Sequence, residues 1–115
     1  MISLSQPKEP YDLNLPYGGT VTVRPLTTAS MAFCQAAARR RLERDHPDVE
    51  DEVERDGLFH GHLIRELAER HITSWSGVAG PDGDDAPATP ENMAALMDLY
   101  PVGEQFHREF TLRQV

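Results

Sequence analysis

The side chains in this sequence that could bind a metal or move a proton are five histidines, His46, His60, His62, His71 and His107, and one cysteine, Cys34. With them goes a run of carboxylates: Asp45, Asp48, Glu50, Asp51, Glu52, Glu54 and Asp56. Imidazole, thiolate and carboxylate are metal ligands, and the same groups serve as general acids and bases. Their spacing argues against both uses. His60 and His62 are two apart, which on a helix turns them to different faces, and the zinc-protease pattern of histidines four apart around a glutamate does not occur. The acidic run lacks the ligand spacing and central glycine of a calcium loop, and reads as solvation. Ser76 is without the strained Gly-x-Ser-x-Gly elbow, and no glycine-rich nucleotide fingerprint is present. No base is identifiable beside Cys34, which reads as a small buried filler. The expectation is a non-enzyme with no catalytic residue, no metal and no cofactor. A metal-dependent enzyme using distant histidines and the acidic run is the chemical alternative.

Whatever these residues do, one domain must position them. The chain has 115 residues, enough for a single core that buries roughly two-thirds of the unfolded surface. Its net charge is −8. Such a field repels phosphate backbones and anionic headgroups, so neither nucleic acid nor a membrane surface is an expected partner. Arg39, Arg40, Arg41 and Arg44 are the one basic cluster; three successive residues fan around a helix, and the cluster reads as a solvated helix end that complements the macrodipole. A lone cysteine forms no internal disulfide, the first residues lack the pattern of a secretion signal, and no apolar run approaches the ~20 residues of a membrane span. A soluble protein of a reducing compartment follows as the expectation.

Residues 1–10 are polar with two prolines and read as a flexible arm. Tyr11, Leu13 and Leu15 alternate with Asp12 and Asn14, and after Pro16, Tyr17, Gly18 and Gly19 comes the β-branched run Thr20 to Val23. Two period-2 segments around a glycine-bearing turn predict a β-hairpin over 11–26. A helix over 29–44 follows, capped by Thr27 or Thr28, with Met31, Cys34, Ala38 and Leu42 on one face. Residues 45–56 are compatible with a solvent-facing helical turn or two after Pro47, or with a mobile connection.

A core helix is predicted over 58–72: Phe59, Leu63, Leu67 and His71 form one row, Ile64, Ala68 and Ile72 the next, and Arg65, Glu66, Glu69 and Arg70 a solvated back. Trp75, one turn beyond, either plugs the core with its indole N–H on a carbonyl or anchors a partner. Thr89, Pro90 and Glu91 signal the start of a helix over 90–99, with Met93, Leu96, Met97 and Tyr100 as its buried stripe. Met93 and Met97 read as core or as an adaptable binding surface. Pro101 opens a last helix over 101–113 whose stripe is Val102, Phe106 and Phe110. The fold class predicted is mainly α (α+β): an N-terminal hairpin followed by a bundle of about four helices, in one domain.

The order of these features resembles the tail assembly chaperone family of long-tailed bacteriophages and prophages. The likeness is carried by Ile72, Trp75, Gly77, Val78, Asp82, Gly83, Pro87, Thr89, Pro90, Glu91, Leu96 and Met97, with the hairpin and the Ala-rich helix extending it towards the N-terminus. It implies a non-catalytic protein that binds the long, helical, aggregation-prone tape measure protein in the bacterial cytoplasm and helps bring tail-tube subunits to it. It implies no cofactor, and many such assembly proteins self-associate, so a homo-oligomer is among the expected states. Consistent with the residues themselves would be an apolar or Met-containing groove for client helices, with an acidic surface steering towards basic client segments. Trp75, Val78, Met93, Met97, Tyr100 and Phe106 are the candidate partner-binding residues. A structural component of the tail or of the head–tail junction is the alternative.

Overall fold

The computed structural model describes Met1, residues 3–5 and residues 8–112. The expected arm over 1–10 falls partly, and the expected end of the last helix at 113 wholly, outside the described residues. Strand β1 (Tyr11–Asn14) and strand β2 (Thr20–Val23) form an antiparallel hairpin, with Leu13 opposite Val21. Alternation does the sorting: Leu13, Leu15, Val21 and Val23 are buried, while on the outer face Thr22 Oγ1 donates to Asp12 Oδ1 at 2.6 Å.

Helix α1 (Thr28–Asp45) begins in a capping box. Thr27 Oγ1 accepts from the Ser30 N–H at 3.0 Å, and Ser30 Oγ accepts from the Thr27 N–H at 2.9 Å. Its buried face, Cys34, Ala38 and Leu42, is mostly small, which lets helix α2 (Glu52–His71) approach closely. Asp51 caps α2 by accepting from the Val53 N–H, and Glu52 and Glu54 complement the dipole of its first turn. Residues 52–57 are therefore helix, six positions upstream of the start expected from apolar periodicity.

The sheet has a third strand. At His71 α2 passes without a loop into β3 (Ile72–Ser76), which pairs antiparallel with β2 and completes the order β1-β2-β3. Ile72 thus belongs to a strand and not to the helix expected over 58–72. A register shift between Thr22 and Val23 sets Val23 against Ile72 and Val21 against Trp75.

Helix α3 (Pro90–Met97) has Thr89 as its N-cap and Pro90 at its first position. Helix α4 (Val102–Thr111) buries Val102, Gly103, Phe106 and Phe110. Phe106 and Phe110 stack with centroids 5.3 Å apart, and Phe110 meets the His71 ring edge-on at 4.9 Å. One cluster of buried side chains draws on the sheet and all four helices, so the chain is a single α+β domain. Each fully enclosed large residue, such as Leu67 or Phe106, contributes about 1.5–3 kcal/mol from burial. No helix among the described residues is long and apolar enough to cross a membrane.

Three placements correct the sequence reading. Tyr100 is 85% exposed, because α3 ends at Met97 and the following turn breaks the periodicity that would have buried it. Glu66 lies in the α1–α2 contact, 5% exposed, and not on a solvated back. Arg41 leaves the basic cluster to meet it, its Nε 2.6 Å from Glu66 Oε1.

Candidate functional site

The histidines fall into two pairs and one isolated ring. His46 at the end of α1 and His62 on α2 have ring centroids 5.3 Å apart, and His60 on α2 meets His107 on α4 at 4.9 Å. The two-residue spacing of His60 and His62 thus sends them to different helices. Burial, and secondarily the neighbouring imidazole, pushes the pKa of His62 and of His107 below the ordinary value. His62 Nε2 is buried without a hydrogen-bond partner among the described residues. Burial also lowers the pKa of His71; its Nδ1 lies 2.8 Å from the Leu67 carbonyl and so carries the proton there, with Nε2 3.0 Å from the Ser30 hydroxyl. No group of three or more His, Cys, Asp or Glu side chains among the described residues could hold a metal ion. Cys34 is fully buried, and burial raises its thiol pKa, the opposite of what activates a nucleophile.

Across α1 and α2 the charges are matched. Glu66 accepts from Arg41 and from Arg70, at 2.6 and 3.1 Å, and Glu69 accepts from Arg65 at 2.9 Å. Burial works against the charge on Glu66, but the two guanidiniums override it and hold the carboxyl below its ordinary pKa. Arg55 bonds Glu43 and the Val49 carbonyl, pinning the start of α2 back onto α1 and the chain between them.

The region around the hairpin turn is built differently. The hairpin turn, the segment after β3 and the α3–α4 junction enclose a cleft of about 190 Å³, lined by Leu15, Pro16, Tyr17, Val78, Leu96 and Leu99 among others. Two glycines bring its walls together. Gly77 has φ +73°, and a Cβ there would sit 2.7 Å from the Gly18 carbonyl oxygen; at Gly103 it would sit 2.0 Å from that of Met97. No other residue allows both approaches without moving backbone. Beside the cleft, apolar side chains stand in solvent: Tyr17 and Tyr100 are each 85% exposed and Leu99 57%. Tyr17 holds a left-handed backbone at φ 66°, a conformation unfavourable to an L-residue by roughly 1–2 kcal/mol.

The six expected partner-binding residues divide between surface and interior. Met93, Met97 and Phe106 are buried in the core, and none of them lines the cleft. Val78 lines the cleft, and Tyr100 follows Leu99 at its edge. Trp75 is half-buried against the core, its indole N–H donating to the Ala86 carbonyl at 2.8 Å, which staples β3 to the turn-rich loop. Tyr17 and Leu99 were not signalled by periodicity; the Pro-Tyr-Gly-Gly turn was the clue to the first. No protein-family model matches this sequence, and neither a curated protein nor a solved structure does.

Proposed function

We propose that this protein is a bacteriophage or prophage tail assembly chaperone, a non-catalytic protein of the host cytoplasm that binds the tape measure protein and assists tail-tube assembly. The observation that supports it best is the exposed apolar surface of Tyr17, Leu99 and Tyr100 around the cleft. A volume of about 190 Å³ is below the roughly 300–1,000 Å³ of small-molecule sites, and suits a side chain presented by another protein. Apolar side chains grouped around such a cleft fit a surface that shields apolar faces of a client.

Affinity capture of the tagged protein from cells producing particles, with mass spectrometry of the captured material and of purified virions, tests the proposal. Capture of the tape measure protein, with this chain missing from virions, is the expected result. Its presence in virions at fixed copy number would make it a structural component of the tail or head–tail junction. Failure to capture the tape measure protein would also overturn the reading.

A further inference from the structure

No charged residue lines the cleft, and the loop 80–85 that leaves its wall carries Asp82, Asp84 and Asp85 and no lysine, arginine or histidine. Among the described residues, none of the three enters an ion pair. The base of this loop is the cleft wall itself. Ala79 lines the cleft and bridges to Asp85, and the Gly80 N–H donates to the Asp84 carbonyl at 2.8 Å. Asp82 Oδ1 accepts from the Asp84 N–H at 3.1 Å, which holds this acidic turn in shape. An apolar cleft is thereby flanked on one wall by an acidic loop whose three carboxylates enter no ion pair among the described residues.

From this combination we infer that the cleft takes a segment of another protein in which a bulky apolar side chain is flanked by lysine or arginine. The apolar anchor fills the space between Leu15, Val78, Leu96 and Leu99 and removes the Tyr17 and Tyr100 rings from water. The flanking cations approach the Asp82, Asp84 and Asp85 loop. An uncharged or acidic segment could fill the cleft equally well but would leave, or worsen, the uncompensated negative field. The inference rests on the chaperone reading only for which protein carries the segment.

The test uses the full chain and three labelled peptides in fluorescence anisotropy: one with a Leu/Phe stripe flanked by Lys, one with the same stripe flanked by Glu, and one with the Lys residues but Ala in place of the stripe. The Lys-flanked apolar peptide should bind at least about tenfold more tightly than either other peptide. Its affinity should fall with added salt, and both Leu99→Asp and the isosteric triple variant D82N/D84N/D85N should weaken it. Leu99 is exposed and the three Asn side chains keep their acceptor oxygens, so circular dichroism should show both variants folded. Equal binding of the Lys- and Glu-flanked peptides, undiminished binding of the Ala peptide, or indifference to Leu99→Asp would each overturn the inference. So would self-association of the wild type in sedimentation that Leu99→Asp abolishes, since a second copy would then own the cleft. Peptide binding without capture of the tape measure protein would sink the chaperone reading and leave this inference standing.

Discussion

The α1–α2 contact and the cleft end of this domain use the same residue types to opposite ends. Between the helices, Arg41, Arg65 and Arg70 meet Glu66 and Glu69, and the Glu66 carboxylate is shielded from water by the pairing. Beside the cleft, Asp82, Asp84 and Asp85 enter no ion pair among the described residues, and large apolar rings stand in solvent. The first surface has satisfied its own chemistry; the second has left apolar area and charge for something else. Partner surfaces on a small acidic protein are thus better sought where its interactions are incomplete than where its charges are densest.

The comparison can be broken at its strongest points first. Phe106 is fully enclosed in the core, stacked on Phe110, and Phe106→Ala is expected to lose about 3–5 kcal/mol in chemical denaturation. A loss below about 1 kcal/mol would mean that the core shared by the sheet and the helices is not the tightly packed interior described. Glu66→Ala leaves Arg41 only its longer contact to Glu69 at 3.5 Å and takes the partner from Arg70, and should lower stability by about 1–3 kcal/mol. If the same substitution leaves urea unfolding unchanged, the helical half is not held by its charges.

A further, more gradual loss is expected with pH. His62, His71 and His107 have folded-state pKa values below the ordinary imidazole value of about 6.5, so the unfolded chain takes up protons first. Their neutral forms are compatible with full stability above that value, and stability falls as pH drops through it. Glu66, depressed in the fold, adds a separate loss at more acid pH, below the ordinary carboxylate value. NMR titration of the imidazoles beside melting curves from pH 7.5 to 5.5 checks the sign; melting temperatures that rise on acidification would contradict it. The smallest effect is the most discriminating. Tyr17→Gly relieves the left-handed backbone at an exposed position and should raise stability by about 0.5–1 kcal/mol while weakening binding of the Lys-flanked peptide. A variant that gains stability and keeps full binding would show that the strained tyrosine serves no partner.

Elements with repeated apolar spacing or a chemical start signal were legible before the structure. The hairpin, α1 with Thr27 as cap, and α3 with Thr89 and Pro90 lie close to where alternation and capping place them. The start of α2 was not legible from periodicity, because Val53 is 81% exposed and the first turns bury no stripe; Asp51, Glu52 and Glu54 marked it only through capping and dipole. β3 escaped for another reason. The register shift lets Ile72 and Trp75, three apart, each oppose a buried valine of β2, so the period-2 signature of a strand is missing. The buried Glu66 could not be told from its exposed neighbours, since only the approach of Arg41 from another helix makes its burial tolerable. Half of the expected contact residues were in fact core, as apolar spacing identifies buried faces and says nothing of an exposed turn such as Leu99 and Tyr100.

The direct passage of α2 into β3 has a kinetic consequence. Val21 and Trp75 face each other across the sheet although 54 positions separate them, so their pairing closes a loop of nearly half the chain before it is rewarded. With no linker between helix and strand, β3 reaches the hairpin only as α2 docks. We therefore expect sheet completion to come late, with φ-values at Val21 and Trp75 near zero and higher values along the α1–α2 contact; the reverse ranking would refute that order. Until Ile72–Ser76 is in place, β2 offers an open edge with two apolar valines, and the nascent chain is at its most exposed to pairing with its own kind.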